Sequence, residues 1–160
     1  MQVEERFLFS TSIIHLLNHV FLYAFPSIIL FLREEISLTY PEIGILGTIP
    51  SLLMVLLSPL SGRTKPGFEN HVIIGGLFVM SASLLVMSIA QNFLGIAIAV
   101  FILGIGGAAY HPPAFSAVTR LYESKKAVGM SLNQGAGTIG TGLAPFLLTI
   151  GAGLIGWRET

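Results

Sequence analysis

The sequence predicts an all-α membrane protein built as a bundle of five transmembrane helices. Three observations predict it. Charged residues fill 10% of the 160 positions and hydrophobic ones 53%, against roughly a quarter charged in soluble domains. The charges are clustered, so residues 7–32, 43–62, 70–119 and 127–157 contain no Asp, Glu, Lys or Arg. These runs are long and unbroken, whereas a membrane barrel would show short alternating strands. A helix crosses a hydrocarbon core about 30 Å thick with roughly 20 apolar residues. The runs therefore hold one, one, two and one spans, the third divided near Gln91-Asn92.

The first helix is expected over residues 8–32. A cleaved leader is the competing reading. It fits badly, because Glu4, Glu5 and Arg6 give no positive leading region and the apolar stretch is about twice the usual length. Thr39-Tyr40-Pro41-Glu42 has the form of a capping box with proline in the first turn, and opens the second helix over 41–61. Arg63-Thr64-Lys65-Pro66-Gly67 breaks the chain before the third helix, over 71–90. The fourth and fifth follow at 93–119 and 128–155, and residues 1–160 read as one bundle. Placing the first residues in the cytoplasm puts Arg6, Arg63, Lys65, Arg120, Lys125 and Lys126 inside, and only Arg33 and Arg158 outside. Cytoplasmic loops are rich in Lys and Arg, so the expected protein is multi-pass in the cytoplasmic membrane with its N-terminus inside.

Eight basic and eight acidic residues cancel, which gives no whole-chain attraction to nucleic acid. Cysteine is absent, so no disulfide, thiolate nucleophile or cysteine metal site is available. Paired acids, a phosphate loop and a nucleophile–base constellation are missing near the spans, and neither an enzyme nor a resident cofactor or metal is expected. Small residues recur where helices would touch: Gly95, Ala99, Gly104 and Ala108 on helix four, then Gly135, Gly137, Gly140, Gly142 and Ala144 on helix five. Such residues let backbones approach closely in lipid.

Polar residues inside the spans are the candidate functional groups. His15, Asn18, His19 and Tyr23 share one face of helix one by their spacing. Helix four carries Tyr110 and His111, and helix five carries Asn133, Gln134 and Thr138. At 1.5 Å per residue, His15, His111 and Gln134 lie roughly 12, 13 and 9 Å from the same membrane face. Each alone could be hydrogen-bonding glue between helices. Their shared depth favours a polar cavity. Tyr110-His111-Pro112-Pro113 is the sharpest local feature, because two prolines remove donors and crowd the carbonyls of Ala108 and Ala109. A helix break with carbonyls free to line a cavity is expected there, as in the discontinuous helices of transporters. Pro26 and Pro50 are candidate kinks in helices one and two.

Gly104-Ile-Gly-Gly-Ala-Ala-Tyr-His-Pro112, then Ser131-Leu-Asn-Gln-Gly-Ala-Gly-Thr-Ile-Gly140 and Ala144-Pro145, resemble the fosmidomycin-resistance-type branch of the major facilitator superfamily. So do His15-Leu-Leu-Asn18-His19, Pro26 and Ser37-Leu-Thr-Tyr-Pro-Glu-Ile-Gly44. The resemblance implies a proton-driven exporter of drugs or small metabolites, an antiporter working by alternating access. Its site residues would be His15, Asn18, His19, Tyr23, Tyr110, His111, Asn133 and Gln134 on the substrate and proton path. Pro26, Pro112 and Pro113 would be the gating breaks, with Gly104, Ala108, Gly137, Gly140, Ala144 and Pro145 at packing contacts.

This chain departs from the family pattern in four places. Pro113 stands where the family has an acid after His-Pro, and Pro66 where its loop has Asp. Ala144-Pro145 replaces Gly-Pro, and past Glu42 in the first turn of helix two no carboxylate lies within a predicted span. Proton coupling would then fall to His15, His19 or His111, since histidine titrates near physiological pH. The family fold has twelve helices in two halves, so these five are the N-terminal part of a six-helix half, without helix six or the C-terminal half. The expected partners are lipid, a small-molecule substrate, protons and another copy or a complementary C-terminal half. A non-transporting truncated remnant or assembly subunit is the alternative. A histidine-based metal or haem protein is the third reading, suggested by the pair at 15 and 19.

Overall fold

The computed structural model describes residues 3–160, and among them every regular element is helical. The elements are α1 (Val3–Leu22), α2 (Ala24–Ile36), α3 (Tyr40–Ser61), α4 (Glu69–Ile89), α5 (Phe93–Gly107), α6 (His111–Leu121) and α7 (Lys126–Ile155). A 3₁₀ turn, Glu123–Lys125, precedes α7. Five stretches are long and apolar enough to cross a membrane: Glu5–Ile36, Tyr40–Ser61, Glu69–Ile89, Phe93–Leu121 and Lys126–Ile155. The first and fourth are each made of two helices in line.

Proline explains both interruptions. Pro26 has no N–H for the Leu22 carbonyl, so the ladder slips at Tyr23. The bonds Tyr23 N–H to His19 O (3.0 Å) and Ser27 N–H to Tyr23 O (3.1 Å) carry the helix across, and the step is a kink. Pro112 and Pro113 do the same to Ala108 and Ala109. There the chain tightens, with Ala109 N–H on Gly106 O and Tyr110 N–H on Gly107 O, before α6 resumes. The Ala108 carbonyl does not line a cavity as the prolines suggested. It accepts the Ser61 hydroxyl of α3 at 2.7 Å. At the start of α3, the Thr39 N–H and hydroxyl both donate to Glu42, at 2.8 and 2.7 Å.

Lipid offers no hydrophobic force between helices, so close backbone packing holds them. α1 packs chiefly on α7, α4 on α5, α3 on α5 and α2 on α7. On α7, a Cβ at Gly140 would run into the Leu16 carbonyl, and one at Gly137 would stand 2.7 Å from Nε2 of His15. Gly76 and Gly106 face each other between α4 and α5, and Gly104 meets Pro50 of α3. Ala108 and Ala144 are buried at their contacts, whereas Pro145 is exposed. Gly135 and Gly142 face open space and serve no close contact.

The polarity of the bundle is inverted relative to a soluble protein. Large apolar side chains such as Leu30, Val55, Phe78 and Leu154 point outward, while His15, Asn18, Ser83 and Asn133 are buried. One end is closed by the last residues. Trp157 Nε1–H donates to Glu35 at 2.5 Å, and Arg158 bonds both Glu35 (2.9 Å) and the Ser88 carbonyl (2.6 Å). These contacts tie α2 and α4 to the segment after α7.

The α1–α7 packing gives a direct test. Gly140→Ala is expected to cost roughly 1–3 kcal/mol through overpacking, read as a lower unfolding midpoint in detergent. Gly142→Ala, on the open face of the same helix, is expected to leave the midpoint unchanged.

Candidate functional site

The site lies where α1, the α5–α6 break and α7 meet. His15 and His19 are one turn apart on α1 and share a face. His15 is fully buried, with Nδ1 2.9 Å from the Asn133 main-chain oxygen and 3.0 Å from its Oδ1. A carbonyl oxygen only accepts, so Nδ1 of His15 carries the hydrogen. Its Nε2 faces Nε2 of His19 at 3.1 Å. Nδ1 of His19 in turn lies 2.7 Å from Oγ1 of Thr141, whose hydroxyl is 3.2 Å from the Gly137 carbonyl.

The other side of Asn133 continues the network. Its Nδ2–H donates to the Tyr110 hydroxyl at 3.1 Å, and Tyr110 donates to the Thr11 carbonyl at 2.8 Å. Tyr110 is buried at the break. The turn over residues 108–110 lets its successor His111 face the same interior. His111 lies edge-on to His15 (5.1 Å, 78°) and to His19 (5.7 Å, 87°), and Tyr23 stacks on His19 at 6.2 Å. One hydrogen-bonded chain thus runs Thr141, His19, His15, Asn133, Tyr110 and Thr11. It links α7 to α1, back to α7, to the break and to α1 again.

A cavity of about 470 Å³ opens beside this chain, lined by His19, Tyr23, Ser51 and His111 at its polar part and by Phe25 and Met54 among its apolar walls. That volume and mixed lining suit a small solute. The side-chain nitrogens of His15, His19 and His111 lie within 4.8 Å of one another, so these three residues could hold a metal ion.

Of the candidate residues, the structure brings together His15, His19, Tyr23, Tyr110, His111 and Asn133. Asn18 is buried but turned toward α4, with Nδ2 on the Met80 sulfur at 3.2 Å and Oδ1 without a partner. Gln134 is exposed on the outer face of α7, and Asn133 beside it supplies the polar group at that depth. Sequence reasoning missed Thr141 and Ser61, whose roles depend on partners on other helices. It also missed an ion pair between a buried acid and a solvent-facing base. Glu69 begins α4 two residues before the expected start of that span, with a side chain only 4% exposed. It takes Arg120 at 2.6 Å and the Gly67 N–H at 2.6 Å. The charge-free run 70–119 carried the signal, since an acid and a base flank the two antiparallel spans within it.

The sequence matches the description Major Facilitator Superfamily over residues 11–160. The chain belongs to the major facilitator superfamily. Within the family it is 24% identical, over 87% of its length, to an uncharacterized MFS-type transporter, YfnC, of Bacillus subtilis (strain 168). It is 27% identical over 91% of its length to the fosmidomycin resistance protein of Escherichia coli (strain K12). It is 32% identical over 81% of its length to the probable nitrate transporter NarT of Staphylococcus aureus (strain MRSA252). The matched parts cover 34%, 37% and 33% of those proteins, so the chain spans about a third of the length of these relatives. Family membership makes it a multi-pass membrane protein of transporter type, in a family whose members are generally not enzymes. The relatives' names differ in solute.

The ion pair yields a prediction. Arg120→Gln leaves the Glu69 carboxylate buried with main-chain donors alone, and stability is expected to fall by on the order of 1–2 kcal/mol, tempered by the open Arg120 side. Adding Glu69→Gln to that variant is expected to restore part of the loss. A double-mutant cycle on thermal unfolding in detergent measures both steps.

Proposed function

We propose that the chain is part of a proton-linked exporter of a small molecule, working by alternating access in the cytoplasmic membrane with its N-terminus in the cytoplasm. The observation that carries this reading is the hydrogen-bonded chain through His19, His15, Asn133 and Tyr110 beside the 470 Å³ cavity. Buried polar groups at that depth are costly in a membrane and commonly mark solute and proton paths. Connected hydrogen bonds are what a moving proton needs.

In this reading His19, Tyr23 and His111 face the solute, and His15, Asn133 and Tyr110 continue the proton path. Asn18 and Gln134 flank it on α1 and α7. Pro26, Pro112 and Pro113 set the breaks at which the spans bend, as broken helices do at transporter sites. The fosmidomycin resistance of one relative supports drug efflux, and the nitrate assignment of another supports a small polar solute. Because the chain covers about a third of those proteins, another copy or a complementary C-terminal half closes the open side of the cavity. The six basic residues on one side against two on the other support the cytoplasmic placement of the N-terminus.

The test is flux in proteoliposomes, with and without a co-expressed C-terminal half, using fosmidomycin, nitrate and a panel of small organic acids and amines. A pH gradient is expected to accelerate transport of at least one solute, and a protonophore to abolish the acceleration. Asn133→Ala, which cuts the chain between His15 and Tyr110, is expected to reduce gradient-driven flux at least about tenfold, the scale of losing about 1.4 kcal/mol in the limiting step. Flux indifferent to the gradient would remove the proton linkage. No flux of any solute in either preparation would leave the non-transporting subunit as the function.

A further inference from the structure

We propose that His15, His19 and His111 form a binding site for one divalent transition-metal ion, Zn²⁺ foremost, with a fourth position open to the cavity. This does not depend on the transport reading. The first reading of the sequence expects no resident metal, and a histidine-based metal or haem protein is its third reading, on the pair at 15 and 19. The structure adds a third histidine and an outer partner for each of the first two.

The nitrogens converge. Nε2 of His15 and Nε2 of His19 are 3.1 Å apart, and the three histidines' ligand nitrogens lie within 4.8 Å of one another. A tetrahedral Zn²⁺ with bonds of about 2.0–2.1 Å needs its nitrogens roughly 3.3 Å apart. The α1 pair meets that spacing already, one helical turn apart on one face. His111 stands at the first residue of α6, past the break, with its ligand nitrogen within 4.8 Å of the other two, and would close the remaining distance by turning its side chain.

The outer hydrogen bonds select the same geometry. Metal-bound histidines characteristically donate the other ring N–H to a fixed acceptor. Nδ1–H of His15 has the Asn133 carbonyl, and Nδ1 of His19 has the Thr141 hydroxyl at 2.7 Å. With the Thr141 hydroxyl directed at Gly137, it accepts from His19. In this tautomer both Nε2 lone pairs are free to take a metal ion, whereas in the metal-free site the Thr141 hydroxyl turned to Nδ1 of His19 lets Nε2–H of His19 donate to His15 across 3.1 Å and close the hydrogen-bonded chain. The other His19 tautomer is available only if Thr141 withdraws its hydroxyl from the Gly137 carbonyl.

The donor set names the metal class. Three neutral imidazoles with no carboxylate suit zinc, copper, nickel or iron and give no oxygen cage for calcium or magnesium. His19 and His111 line the cavity, so the ion is reached from there and its fourth ligand comes from there. Among the described residues no acid lines the cavity, so an anion or hydroxide is the fourth ligand that would offset the charge.

The experiment uses the untagged 160-residue chain in detergent micelles, with Co²⁺ as the optical probe. One Co²⁺ per chain is expected, with the visible absorption of a four-coordinate site that Zn²⁺ displaces and Mg²⁺ or Ca²⁺ does not. X-ray absorption on the Zn²⁺-loaded protein is expected to show three imidazoles. His15→Asn, His19→Asn and His111→Asn should each weaken binding at least about tenfold. Thr141→Val, with all three ligands present, should weaken it by roughly 10–100-fold. His71→Asn, in the first turn of α4 and outside the histidine cluster, should change nothing. Binding no tighter than in a variant carrying all three changes (His15→Asn, His19→Asn and His111→Asn together), loss of binding in His71→Asn, or fewer than three imidazoles in the absorption spectrum overturns the proposal. The spectrum is taken on the unmutated chain, so a variant that fails to fold does not blunt the test.

Discussion

The histidine junction of this bundle depends on α1 and α7 touching backbone to backbone. Asn133, Gly137, Gly140 and Ala144 recur every three or four residues, so they form one stripe of α7. Gly140 rests on the Leu16 carbonyl and Gly137 on the His15 ring, and Ala144 is fully buried further along. Only with side chains this small can the axes come close enough for the Asn133 carbonyl to reach His15 at 2.9 Å and Thr141 to reach His19 at 2.7 Å. The histidine orientations are therefore a product of the glycine stripe. Lengthening a side chain at either glycine would separate the helices and release both rings.

The second constraint is the demand that lipid makes on backbone groups. A carbonyl freed by proline in a hydrocarbon core must find a partner or cost several kcal/mol. The protein supplies hydroxyls from nearby serines. Ser61 of α3 takes the freed Ala108 carbonyl at 2.7 Å, and at the other break Ser27 donates its hydroxyl as well as its N–H to the Tyr23 carbonyl, next to the freed Leu22 carbonyl. These bonds make the two breaks stable features. In an unbroken helix, Tyr110 and His111 would point about 100° apart, at 3.6 residues per turn. The turn between α5 and α6 brings both to the junction, one bonded into the network and the other edge-on to His15 and His19.

How much of this was legible follows from what each signal measures. Clustering of charge reports how far the chain runs without water, so the five spans could be read directly. Helical spacing reports azimuth within one helix, which put His15 and His19 on one face. Depth arithmetic reports level but not direction, and for that reason could not separate Asn133, which faces the network, from exposed Gln134. The partners of Ser61, Thr141 and Gly76 lie on other helices, and only the packed arrangement assigns them. Glu69 and Arg120 were hidden by helix ends extending past the apolar runs, because polar residues in a first or last turn still continue the backbone ladder.

The two charged clusters bear on how such a bundle moves. Glu69–Arg120 joins α4 to α6 at one end, and Glu35 with Trp157, Arg158 and the Ser88 carbonyl joins α2, α4 and the segment after α7 at the other. Both sets of bonds lie within this one bundle. Opening the cavity by spreading these helices would strip the buried Glu69 carboxylate of its Arg120 partner at one end or break several charge-assisted hydrogen bonds at the other. In the proposed cycle the cheaper motion is rocking the bundle as one body against its partner, the manner in which repeats move about a fixed site. The polar junction would then keep its internal geometry throughout, with only the cavity side of His19 and His111 changing what it faces.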